Sequence, residues 1–207
     1  MDTETRLFFE KHNIDLKYVI DANQNPVNDS LIALMRNENK YFVYNTTFCE
    51  KGHNLRSRSK HCIVCDTFKI QIYKELYDPG FVYIAGSKRK GIIKIGSSKD
   101  NWTIIKREGY LNEKKGYAET NDWKILYSVF CDKRGFHEKE IHKLMKPFHA
   151  EGFVYQKEDL TNSTEVYYSS YKNAHKIFCE YFENKSVQNK MIEREFDQYA
   201  FRTLRRV

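Results

Sequence analysis

The residues best suited to hold a metal ion stand close together in the first third of the chain, as Cys49-x3-His53-x8-Cys62-x2-Cys65. A tetrahedral zinc takes thiolates and imidazoles, and two such ligands a few residues apart can come from one tight turn. Gly52, just before His53, lets that turn close round the ion. His61, beside Cys62, competes with His53 for the fourth position, but His53 pairs better with Cys49. Cys131 and Cys179 stand alone, so the five cysteines are an odd set that argues against a disulfide framework. Cys62-Ile-Val-Cys65 also has the spacing of a redox dithiol, yet no βαβ pattern is legible around it. Structural zinc is the expectation.

The pattern resembles a treble-clef or zinc-ribbon finger. A module of this size has little apolar core, so the ion would hold it together. Arg56, Arg58 and Lys60 lie between the two ligand pairs, where they could touch phosphates; a solvated basic loop is the plain alternative.

Further along stand Gly80-Phe81-Val82-Tyr83-Ile84-Ala85, then Ile93-Lys94-Ile95-Gly96-Ser97-Ser98, then Arg107 followed by Leu111-Asn112, then Glu138-x3-His142. Their order and spacing over about residues 79–155 resemble the GIY-YIG nuclease superfamily, in the branch whose second motif begins with lysine. The resemblance implies a small three-stranded antiparallel sheet flanked by helices, and hydrolysis of nucleic acid with one divalent cation, magnesium or manganese. It implies that Tyr83 orients or activates the attacking water. A phenol is a poor base at neutral pH, so a tyrosine base needs cations beside it. Lys94 stands where better-known members carry a second tyrosine, which leaves the base open between Tyr83 and Lys94. By the same resemblance Arg107 grips the scissile phosphate, which a guanidinium suits, and Glu138 holds the catalytic cation, which prefers oxygen ligands. Gly96 would allow close backbone approach to a ligand. Glu138 and His142 are four residues apart and share a helix face, from which Glu140 falls away. The family's final asparagine has no counterpart, and Glu151-Gly152-Phe153 stands where this branch often has an acidic–aromatic pair.

The elements that must position these groups read as β-β-α-β-α: strands over 81–85 and 92–96 around a basic loop at 86–91, a helix over 101–111, a strand over 123–130 and a helix over 137–145. Ile125, Tyr127 and Val129 are expected on one strand face, and Ile141, Leu144, Met145 and Phe148 on one helix stripe. Before them come a short helix at 3–12, a turn-rich stretch at 23–29 and a strand over 41–48. Helices near 170–184 and 188–205 follow. The fold class is therefore α+β, with an N-terminal region carrying the zinc module (1–78, ligands at 49–65), a GIY-YIG-like domain (79–155) and a C-terminal helical extension (156–207).

Net charge is +7, and nine basic residues between Lys88 and Lys115 face only Asp100, Glu108 and Glu113, which points to a polyanion. Lys88, Arg89 and Lys90 at the hairpin tip are the candidate phosphate contacts. No apolar run approaches membrane length, and Met1 to Glu10 has no signal core, so a cytoplasmic location is expected. The function expected is a metal-dependent endonuclease acting on nucleic acid, DNA before RNA by analogy. The alternatives are a zinc-containing nucleic-acid-binding protein with an inactive nuclease domain, and a purely structural or interaction role.

Overall fold

The computed structural model describes residues 1–99, 101–113, 116–156, 160–162, 164–185 and 197–203, and no side chains at 101–104, 154–156 or 160–162. Most of the helix expected at 188–205 lies outside these residues, as do Lys114 and Lys115. Two compact units are present, Met1–Lys74 and Glu75–Val207. No helix among the described residues is long and apolar enough to cross a membrane.

The first unit opens with helix α1 (Thr3–Lys11), capped by the Asp2 carboxylate, which accepts from the Thr5 backbone N–H at 2.7 Å. Strand β1 (Val19–Asp21), helix α2 (Asp29–Asn37) and strand β2 (Phe42–Tyr44) follow, and β1 and β2 run parallel. Strand β3 (Arg56–Ser57) pairs antiparallel with β2. A βαβ unit that sequence inspection does not find is thus present; its strands are three residues long, too short for periodicity to reveal. It closes at Tyr44, and the cysteines lie beyond it. The strand expected to reach Phe48 stops because Asn45 turns into the left-handed region (φ 54°) and donates its side-chain amide to Asp21. Ala22, Val27, Met35 and Val43 form a small core. Helix α3 (Phe68–Tyr77) ends the first unit and begins the second.

In the second unit strands β4 (Gly80–Ser87) and β5 (Ile92–Ser98) form the expected hairpin. Helix α4 (Asn101–Asn112), strand β6 (Trp123–Cys131) and helix α5 (Arg134–Met145) complete the β-β-α-β-α order. A short hairpin of β7 (Val154–Gln156) and β8 (Leu160–Asn162) leads to β9 (Val166–Tyr167) and helix α6 (Tyr171–Phe182). The main sheet has four antiparallel strands in the order β6-β4-β5-β9, not three. The added strand is only two residues long, and it occupies the β5 edge.

One sheet face, with Val82, Ile84, Ile93 and Ile95, packs on Ile141 and Met145 of α5 and Phe178 of α6. Full burial of each such side chain is worth about 1.5–3 kcal/mol. The other face, with Phe81, Tyr83, Ala85 and Ile92, packs on Leu111, Tyr117 and Trp123. Two sequence expectations change here. A bulge in β6 inserts Leu126 between the partners of Ile84 and Ala85, so Ile125 turns to the second face while Tyr127 and Val129 stay on the first. Leu144 is exposed and drops out of the α5 stripe.

Candidate functional site

Among the described residues, two clusters of side chains could each hold a metal ion. The first is Cys49, His53, Cys62 and Cys65. The chain folds back after Cys49, where the Gly52 N–H donates to the Cys49 carbonyl and the Cys49 N–H to that of His53, both at 2.8 Å, with Gly52 at φ 77°. This brings His53 Nδ1 to 3.6 Å from Cys49 Sγ, 3.8 Å from Cys62 Sγ and 3.3 Å from Cys65 Sγ, with Cys49 and Cys65 sulfurs 3.8 Å apart. Metal–sulfur bonds of ~2.3 Å and a metal–nitrogen bond of ~2.0 Å arranged tetrahedrally require edges of about 3.5–3.8 Å. The donor set therefore fits a four-coordinate ion. His61 lies elsewhere, its Nδ1 against Ser59 Oγ at 3.1 Å.

Electrostatics point the same way. The His53 backbone N–H pulls the Cys49 thiol down to about 6, while the neighbouring Cys62 sulfur, burial and Cys49 push Cys65 up to about 11. Without a cation Cys65 resists ionising beside the neighbouring sulfurs; a divalent ion removes that conflict.

The basic residues of this loop are engaged rather than free. Arg56 donates to the carbonyls of Lys60 and Thr47, Arg58 donates to the Lys40 carbonyl and lies over the Tyr41 ring, and Lys60 pairs with Asp29. They brace the fold of the module.

The second cluster is built round the β5 edge. Tyr83 and Gly96 are cross-strand partners, and the Tyr83 ring lies over Gly96. The glycine expected to admit a ligand instead admits this ring: a Cβ there would stand 2.5 Å from the Tyr83 hydroxyl oxygen. Gly96→Ala is accordingly expected to lower stability by about 1–3 kcal/mol in urea denaturation. Gly109→Ala, on an open helix surface, is the control and should be neutral or stabilising. Equal behaviour of the two variants would refute the packing role.

Arg107 reaches from α4 and donates through Nε to the Tyr83 hydroxyl at 3.2 Å. Lys94, on the same sheet face, is fully buried, pairs with Glu165 and lies 4.2 Å from the centre of the Tyr117 ring. Burial alone would push its ammonium down; the Glu165 charge, with Tyr83 and Tyr117, holds it above its ordinary value. Lys94 is thus held as a buried cation by its pairing with Glu165. Burial likewise opposes ionisation of Glu165, but Lys94 outweighs it and keeps the carboxyl below its ordinary value.

On the opposite sheet face, Ser97 Oγ donates to Glu138 Oε2 at 2.7 Å. His142, one turn along α5, places Nε2 3.7 Å from Glu138 Oε1, and its Nδ1 shares a hydrogen bond with the Tyr167 hydroxyl. Ligand atoms of Glu138, His142 and Glu165 all lie within 4.8 Å of one another. Glu165 joins the two faces: it precedes β9, which pairs along the β5 edge, and so meets Lys94 on one side and the α5 pair on the other.

Tyr83, Lys94, Arg107, Glu138 and His142 are therefore neighbours. The acidic residue completing their cluster is Glu165; Glu151 is not a member. Glu140 turns outward to Lys143. Lys88, Arg89 and Lys90 do not join the site. They cap the far end of the hairpin, ~20 Å from Ser97 at ~3.3 Å per residue. Arg89 donates to Asn121 Oδ1 at 2.6 Å, Lys90 is 4.0 Å from Glu119, and Lys88 pairs with Gln198 beside the Tyr199 ring.

Comparison with family models, with curated proteins and with solved structures finds no match to this chain.

Proposed function

We propose that this chain is a cation-dependent endonuclease that hydrolyses phosphodiester bonds of nucleic acid, DNA before RNA, at the β5 edge. One observation carries the reading: Tyr83, Lys94, Arg107, Glu138 and His142, the five residues expected from the GIY-YIG resemblance, form one polar cluster around Glu165.

In the reaction water attacks phosphorus, the bond from phosphorus to the leaving oxygen breaks, and that oxygen takes up a proton. Arg107 supplies planar donors for non-bridging phosphate oxygens. Tyr83, hydrogen-bonded to Arg107, orients the incoming water. Lys94 adds fixed positive charge in a site shielded from solvent, where charge acts strongly. Glu138, oriented by Ser97, holds the cation, magnesium or manganese. When bound, such a cation stabilises negative charge on the phosphate. The ion at Cys49, His53, Cys62 and Cys65 is structural zinc in this reading.

A second reading is a nucleic-acid-binding protein that does not cut. It is favoured by the complete burial of Tyr83 and Lys94. Incubation with plasmid, single-stranded DNA and RNA, with and without divalent cation, separates the two. Cation-dependent cutting is expected; gel retardation without cutting would select the second reading, and neither would defeat both.

Affinity is expected to come partly from the hairpin tip. Replacing Lys88, Arg89 and Lys90 together should weaken binding of all sequences alike and flatten the dependence of log Kd on log salt by up to about three charges. The cleavage rate of bound substrate should hardly change, because the tip is remote from Glu138. An unchanged salt slope would remove the tip from the interface.

A further inference from the structure

We propose that Glu138, His142 and Glu165 together hold the cation, and that this mixed set binds transition-metal divalent ions more tightly than magnesium. The inference deepens the nuclease reading and rests on it for the presence of a cation at this edge.

The imidazole carries the argument. His142 Nε2 is buried and has no hydrogen-bond partner. The Glu138 oxygen facing it, at 3.7 Å, is beyond hydrogen-bond reach. Its other nitrogen, Nδ1, is engaged by the Tyr167 hydroxyl. In the cation-bound state Nδ1–H donates to Tyr167 and Nε2 turns its lone pair to the ion, on the side where Glu138 lies. An N–H at Nε2 would be an unsatisfied buried donor; a lone pair there is satisfied by a cation. A ligating histidine fixed through its second nitrogen is the usual arrangement at metal sites.

The carboxylates are equally prepared. Ser97 takes one Glu138 oxygen and leaves the other on the His142 side. Glu165 pairs with the buried Lys94, and the pairing of β9 with β5 fixes its position. Magnesium prefers all-oxygen surroundings rich in water, whereas an imidazole raises affinity in the order manganese, cobalt, zinc.

The test uses the full chain with its cysteine-site metal retained and Mn2+ as probe, followed by loss of the free-ion paramagnetic resonance signal. Expected is one Mn2+ per chain at this edge, displaced by Co2+ at a concentration at least tenfold below that of Mg2+. His142→Gln should weaken Mn2+ at least tenfold and narrow the Co2+ to Mg2+ ratio. Glu165→Gln should also weaken Mn2+ at least tenfold. Because it strands the buried Lys94 ammonium, Lys94→Met/Glu165→Gln accompanies it and should show the same loss. No Mn2+ binding by the wild-type chain, wild-type affinity in the His142 or both Glu165 variants, or equal displacement by Mg2+ and Co2+ would overturn the proposal. Cutting assays run separately keep the two ideas apart. Three-residue binding without cleavage leaves this site standing and defeats the nuclease, while cleavage with Mn2+ binding indifferent to His142 and Glu165 does the reverse.

Discussion

Glu138→Gln is expected to stop strand cutting while leaving the fold and nucleic-acid binding in place. The amide keeps the size of the side chain and an oxygen to accept from Ser97 Oγ, so the local packing beside His142 survives. What disappears is the negative charge that holds the cation. Removing one group that stabilises transition-state charge typically costs about a hundredfold to a thousandfold, and losing the cation should reach or exceed the upper end. Binding should persist or tighten, because a carboxylate that repels phosphate has gone while Arg107 and Lys94 remain. Single-turnover cleavage and fluorescence anisotropy on the same oligonucleotide read the two effects separately. Glu140→Gln is the matched control: its carboxylate pairs with Lys143, away from the cluster, and should be dispensable. A fully active Glu138 variant, or an inactive Glu140 variant, would remove Glu138 from its role.

Cys62→Ser is expected to lose the bound metal and unfold the first unit together. The apolar core there is small, centred on Ala22, Val27, Met35 and Val43, and Ile63 is buried next to Cys62. A structural zinc contributes on the order of 10–16 kcal/mol of binding free energy that is also folding free energy. Elemental analysis of the native protein should find about one zinc per chain. The variant should contain far less and be cut by protease within residues 1–74, whereas Cys179→Ser should behave as wild type. Native protein without metal, or a stable metal-free Cys62 variant, would refute the structural role.

Most of the second unit is legible in the sequence because its elements carry strong signals. The hairpin of β4 and β5 is a nearly unbroken apolar run on both sides of a basic turn, and α5 shows its stripe through Ile141 and Met145. The candidate metal ligands of the first unit are legible on different grounds: four thiol and imidazole donors at such short spacing match the needs of one tetrahedral ion, and the structure brings them together. The positions of Tyr83, Lys94, Arg107, Glu138 and His142 follow from motif order, and the structure brings those side chains together.

What stays hidden depends on long-range pairing. Strand β9 has two residues, and nothing local distinguishes Glu165-Val166-Tyr167 from a loop; only its pairing with Ile93 and Lys94 makes it an edge strand. Glu165 escapes a reading of the sequence for that reason. Its best sequence signal is indirect, since a lysine in a strand as apolar as Ile92–Ser98 must find a carboxylate to be buried. The β6 bulge likewise defeats strict alternation, because one extra residue reassigns Ile125 and Leu126 to opposite faces. The basic tip and the Arg56–Lys60 loop are legible as charge but not as geometry. Their partners include Asn121, Glu119, Asp29 and the carbonyls of Thr47 and Lys40, which lie elsewhere in the chain.

The central claim, that water is added across a phosphodiester bond at this edge, is tested most directly by cutting in water enriched in oxygen-18. An oligonucleotide is incubated with the wild-type chain and divalent cation for one turnover, and the product phosphates are weighed by mass spectrometry. The expected result is one heavy oxygen in the new terminal phosphate, only when the cation is present and not with Glu138→Gln. Absence of cutting with DNA and RNA alike, or cut products whose new ends carry no heavy oxygen, would contradict hydrolysis at the Glu138 site.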